Sequence, residues 1–159
     1  MKRRRQTGHK EIVVFALDEP RYALPLTTVE RVVRAVDITP LPKAPEIVLG
    51  VINAEGRIVP VVDIRRRFGL PARELQLEDR FLIARTSRRV VALVVDSVAG
   101  IQELDGRQSL ESGQALAFAP YLQGVAKLAD GLVLIYDLDQ FLSLDEERKL
   151  DAALSGGPG

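Results

Sequence analysis

The sequence predicts an all-β fold of two small barrel subdomains that share a hydrophobic core, with only short helices. Apolar runs of four to seven residues, separated by turn signals, occupy most of the chain. Strands this short suit small curled barrels, which also hide their sheet edges. The runs come in pairs around DEPR, NAEG, RTSRR and ADG, each a hairpin signal. The pattern also repeats. Ile12–Leu26 overlays Phe81–Val95 at an offset of 69, and Gly50–Ile64 overlays Gly124–Leu138 at an offset of 74. A duplicated half-domain follows, and two lobes of that size need a common seam to be stable.

In order along the chain, Ile12–Leu17 and Tyr22–Leu26 form the first predicted hairpin, and a further strand is expected around Arg31–Val36. Ile47–Ile52 and Arg57–Val62 flank NAEG. Pro60 lacks an N–H and is expected at an edge or bulge. Asp63 can accept the free N–H groups of a first helical turn over IRRRF. Ile64 and Phe68 share the inner face of that turn, Gly69 ends it, and Arg65, Arg66 and Arg67 are assigned to the solvated side.

The second half repeats the plan. Phe81–Ala84 and Val90–Val95 flank RTSRR, and Val125–Leu128 and Leu132–Tyr136 flank ADG. Extra strands are expected around Ile101–Leu104 and Gln114–Ala119. Asp137 opens LDQFL as Asp63 opens IRRRF. The folded body is placed at residues 11–145, divided near 70–80, with strand exchange between the lobes allowed. Residues 1–10 read as a flexible basic leader. Residues 146–159 read as a flexible tail, with a helical turn or two at DEERKL before SGGPG.

Composition narrows the function. The 159 residues hold no cysteine, which removes disulfides and thiolate catalysis. No apolar run approaches the roughly 18 residues of a membrane span. The basic start is not followed by an export segment, so a cytoplasmic protein without direct membrane insertion is expected. Five of the positive charges lie in the first ten residues, leaving 17 basic against 22 acidic residues, a net of −5. A body of that sign argues against a broad nucleic-acid surface.

Catalytic groups are equally scarce. The one histidine, His9, sits in the charged leader, and no phosphate-binding glycine loop or nucleophile elbow is present. Capping explains Asp63 and Asp137. No catalytic, cofactor or metal site is expected, and the chain reads as a non-enzyme. What remains is aliphatic surface. In VERVVRAV, the residues Val29, Val32, Val33 and Val36 fit neither a pure helix nor a pure strand. Some can face the seam and some a partner helix.

The stretch GVINAEGRIVPVVDIRRRFGL closely resembles the signature of CheW-like domains, G-V-x-N-L-R-G-x-x-x-P-V-V-D-L followed by a basic run. The likeness extends over roughly Glu11–Asp145 and includes FAL…YALPL, ITPLPKAPEIVLG, VALVVDSVAG and GLVLIYDLDQFL. It implies two five-stranded barrels around a shared core and a non-enzymatic adaptor in chemotaxis. The implied partners are the regulatory domain of a CheA-type histidine kinase and the cytoplasmic tips of methyl-accepting chemoreceptors. Recruitment to membrane-associated receptor arrays is a further implication, and no nucleic-acid partner is implied.

Two departures stand out. The family's N-L-R-G is NAEG here, with Glu55 in the arginine position, and Arg31 holds a position that is commonly acidic. Either the two form a charge-reversed ion pair or they are unrelated surface changes. The candidate partner-binding residues are Val29, Arg31, Val32, Val33, Glu55, Arg57 and Val98. Two other readings stay open: an accessory coupling protein of a non-chemotaxis receptor–kinase pathway, and a small nucleic-acid-binding barrel.

Overall fold

The computed structural model describes residues 10–18, 20–105, 109–110 and 122–155. The leader (apart from Lys10), the strand expected at 114–119 and the last four residues lie outside them. The strands are β1 (Lys10–Ala16), β2 (Arg21–Pro25), β3 (Val29–Arg34), β4 (Val48–Ala54), β5 (Arg57–Val62), β6 (Arg80–Arg85), β7 (Val90–Val95), β8 (Ser97–Leu104), β9 (Ser109–Leu110), β10 (Leu122–Leu128) and β11 (Gly131–Tyr136). Helix α1 covers Ile64–Phe68 and α2 covers Leu144–Leu154. Short 3-10 turns follow β2 and β11.

The strands form two sheets, in the orders β8-β1-β2-β11-β10-β9 and β3-β6-β7-β5-β4. Each sheet takes its central hairpin from the opposite half of the chain. The junctions are parallel and equivalent: Ala23 lies opposite Ile135, and Ala92 lies opposite Val61. Those pairs map onto each other under the same offsets of 69 and 74 found in the sequence. The bulges repeat as well, between Val48 and Gly50 in β4 and between Leu122 and Gly124 in β10.

Alternation along the strands gives each sheet two apolar faces. Phe15, Tyr22 and Leu24 of the first sheet meet Leu82, Leu93 and Val95 of the second in one shared core. Ile12, Val14, Ala126 and Val133 pack on the far side of the first sheet. Ile52, Val59, Phe81 and Ile83 pack on the far side of the second. An aromatic cluster lies at the seam, with Phe68 of α1 4.9 Å from Tyr22 and 4.4 Å from Tyr136 between ring centroids. Such pairs add about 0.5–1.5 kcal/mol each beyond their buried area.

Three expectations are corrected. The barrels are curled sheets: among the described residues no ladder joins the edge strands β3 and β4, or β8 and β9. The edge of β4 is covered instead by the chain after β3, through Thr39–Val51 hydrogen bonds of 2.9 and 2.8 Å. In the other lobe β9 covers β10 at Val125, the equivalent of Val51, and so makes a sixth strand. Second, Pro60 lies in an interior strand. It is tolerated because the β5–β7 ladder runs through Val61 and Val62 only. Third, of the tail expected at 146–159, residues 146–154 belong to helix α2, longer than the turn or two expected. Helix α2 opens with a Ser143–Glu146 capping box and buries Leu150 fully in the shared core.

Asp63 caps α1 by accepting from the Arg66 N–H, Asp137 accepts from the Asp139 N–H at 3.1 Å, and Gly69 adopts φ 74°. The assignment of Arg65 to solvent is corrected. Its side chain is 8% exposed and binds Asp18 of the β1–β2 turn and Asp96 of the β7–β8 turn, at 3.0 and 2.8 Å. Residue 65 lies on the flank of a one-turn helix, next to the Ile64 and Phe68 face, where a hairpin turn of the other sheet and the link between the two sheets supply carboxylates. Asp139, its equivalent in the second half, accepts from the Ser87 N–H of the β6–β7 turn at 2.6 Å. The segments that follow β5 and β11 thus each grip a hairpin turn of the other sheet.

Candidate partner-binding surface

The seven candidate residues separate by environment. Val29 and Val98 are half-buried against the shared core, and Val33 packs against the core of the second sheet. Val32 is 40% exposed. Arg31, Glu55 and Arg57 come together with two residues missed in the sequence, Glu30 and Arg85, at the open end of the second sheet.

Local chemistry builds this rim. Ala54 pairs with Arg57, so Glu55 and Gly56 are a two-residue hairpin loop, with φ values of 54° and 84°. Positive φ at both positions is the type I′ turn, which prefers Asn, Asp or Gly. The Gly56 N–H donates to Asn53 Oδ1 at 2.8 Å. On the opposite edge, the β3–β6 register passes from Val29–Ala84 to Arg31–Ile83, which leaves Glu30 as the extra residue of a bulge.

The curl of the sheet carries β3 to the β4–β5 turn, and the edges are joined by charge. Arg31 pairs with Glu55. Glu30 accepts from Arg57 Nη2 at 2.9 Å and from Arg85 Nη2 at 2.8 Å. The Arg57 hydrogen bond, reinforced by Arg85, holds the Glu30 carboxyl below its ordinary range. The charge-reversed pair inferred from sequence is therefore formed. Glu30 and Arg85 were legible only with the topology, since they lie 55 residues apart.

The energies at Glu55 are instructive. A non-glycine residue in the left-handed region costs about 1–2 kcal/mol. The Arg31–Glu55 side chains are 42% and 66% exposed, and exposed pairs contribute about 0.2–1 kcal/mol. Stability alone does not favour glutamate here.

The rim has no counterpart in the other lobe. Under the two offsets Arg31 becomes Gly100, Glu55 becomes Ala129 and Arg57 becomes Gly131. Asp130, at the equivalent of Gly56, pairs instead with Arg21 at 2.8 Å. A groove of about 570 Å³ between Glu11, Pro25, Thr28, Gln123 and Asp137 includes none of the seven candidates. Among the described residues, the rings of Phe15, Tyr22, Phe81, Tyr136 and Phe141 are buried and give nucleic-acid bases no stacking surface. Among the described residues, no helix is long and apolar enough to cross a membrane.

Duplicated, hairpin-exchanged lobes around one core, with a charged rim on one lobe only, define a two-lobed β scaffold domain. The chain belongs to the CheW-like domain family, whose model matches residues 11–146. The chemotaxis protein CheW of Thermotoga maritima is 31% identical over 83% of this chain and 87% of its own length. The chemotaxis protein CheW of Rhizobium meliloti is 28% identical, over 89% and 92%. The crystal structure of the scaffolding protein TtCheW from Thermoanaerobacter tengcongensis superposes with a TM-score of 0.78 at 31% identity, covering 86% of this chain and 94% of that one.

Proposed function

We propose that this chain is a non-enzymatic adaptor of chemotaxis signalling that joins cytoplasmic receptor tips to a CheA-type histidine kinase. The family match across residues 11–146, with relatives named for chemotaxis, is the observation that carries this reading. Its working parts are surfaces. Exposed Val32 and the Arg31, Glu55 and Arg57 rim are the proposed contacts, Val29 and Val33 shape the sheet behind them, and Val98 packs on the shared core from β8 of the first sheet. The protein acts in the cytoplasm, at receptor arrays on the membrane. The test is direct binding of the full chain to a kinase regulatory domain and to a receptor-tip fragment. Saturable binding to both is the expected result, and binding to neither removes the adaptor role.

The reversed Arg31–Glu55 pair favours a second reading, coupling within a receptor–kinase pathway other than chemotaxis. Binding to the receptors of such a pathway, in preference to those of chemotaxis, distinguishes it.

A further inference from the structure

We propose that Glu55 is a specificity determinant of the adaptor, a carboxylate held out by Arg31 to receive a lysine or arginine of the protein that docks on the second sheet's rim. The inference rests on the adaptor reading above and adds the chemistry of the contact.

Three observations converge on this residue. Glu55 occupies a left-handed turn position at φ 54° in a loop whose geometry suits glycine or asparagine better. Backbone strain kept at a surface site without a stabilising return points to a role in recognition. Its carboxylate is engaged by Arg31, and the side chain as a whole remains 66% exposed. It can therefore accept further hydrogen bonds from a second cation. Finally, the duplicated lobe, with the same loop length and register but no left-handed residue at 129 or 130, has Ala129 and Gly100 at the two positions. The fold is built without the pair there.

The rest of the rim supports a basic partner group at Glu55. Glu30 is already occupied by Arg57 and Arg85, which leaves Glu55 as the rim acid open to a partner. Arg31 acts as a positioning residue. It fixes the carboxylate, and a partner that lacks a cation at that point leaves the exposed side of Glu55 without a charged partner.

The experiment compares the full chain with Glu55→Gly and with the exchanged double variant Arg31→Glu/Glu55→Arg. Binding is measured to the regulatory domain of a CheA-type kinase and to a receptor-tip fragment, at low and high salt. Glu55→Gly relieves the turn, so its melting temperature should equal or exceed that of the parent. Its affinity should fall by about tenfold or more in at least one arm, with the loss smaller at high salt. The exchanged variant restores the internal pair and should melt like the parent, yet bind no better than Glu55→Gly.

Affinity of Glu55→Gly within about twofold of the parent in both arms overturns the proposal. So does recovery of parental affinity by the exchanged variant, because the pair is then structural. A lower melting temperature for Glu55→Gly overturns the strain premise. A parent chain that binds neither probe removes the adaptor reading, a result distinct from all of these.

Discussion

Arg65 Nη2 lies 2.8 Å from Asp96 Oδ1, and this contact ties the helix of the first half to a turn of the second. The same guanidinium reaches Asp18, and Arg73 joins Asp96 to buried Asp79, at 2.5 and 2.7 Å. Removing the acid leaves a buried cation with Asp18 alone. Removing the cation leaves acids that retain Arg73 or water. Asp96→Ala should therefore cost about 2–4 kcal/mol, more than Arg65→Met, because a buried charge that loses one of its two acids is worse than no buried charge. Urea unfolding of both variants gives the order directly.

Charge pairing also sets the pH range of stability. Burial pushes Asp96 upward, but the hydrogen bonds from Arg65, the Asp18 N–H and Arg73 outweigh it and hold the carboxyl below its ordinary range. Glu146 is likewise lowered, its burial outweighed by Ser143 and Arg67. Groups depressed in the folded state stabilise it above their unfolded values, about 4. That contribution is lost as pH falls through the folded values. At the alkaline end, burial pushes Tyr136 up to about 12, and Tyr22 rises too, chiefly through burial. Stability is then lost as pH rises from the unfolded tyrosine value, about 10, through the folded ones. Denaturation midpoints near pH 3, 7 and 11 should be highest at the middle value.

Much of the fold is written in local residue chemistry. The hairpins, the Asp63 and Asp137 caps and Gly69 all depend on neighbours within a few positions. The reversed Arg31–Glu55 pair was legible because two changes of opposite sign offset each other. Long-range pairing was not legible. Nothing near Tyr22 announces that β2 runs beside Leu134, and Arg65 finds its acids 47 and 31 residues away. A basic run followed by glycine looks solvated until turns distant in sequence close over it. Helix α2 was expected only as a turn or two, for a related reason. Its sequence is mostly charged, and the capping box and one fully buried leucine fix its position.

The two helix-side and strand-side glycines should respond differently to a methyl group. A Cβ on Gly50 would stand 2.2 Å from the Thr39 carbonyl oxygen, at φ 153°. The clash is with backbone held by the Thr39–Val51 bridge, so the edge cover of β4 must give way. Gly50→Ala should cost about 2–4 kcal/mol through strain and lost hydrogen bonds. At Gly69 the space is open and only the left-handed φ of 74° is penalised. Gly69→Ala should cost about 1–2 kcal/mol. Equal losses by thermal unfolding would contradict the close approach at Gly50.

Helix α2 should behave as part of the seam. Leu150 is fully buried in the shared core, and the helix is pinned at its flank by Arg89 to Glu147 at 2.9 Å and by Arg67 to Glu146 at 2.7 Å. Arg67 belongs to the first half of the chain and Arg89 to the second, so the helix ties together two segments that meet at the second sheet. Leu150→Ala should cost about 2–5 kcal/mol by loss of burial and a residual cavity. Ser143→Ala removes the cap alone and should cost about 0.5–2 kcal/mol. Amide exchange then separates a seam helix from an appended one. If α2 is integral, Leu150→Ala accelerates exchange in β6 and β7 as well as in the helix, whereas acceleration limited to residues 144–154 would mark α2 as a separately unfolding unit.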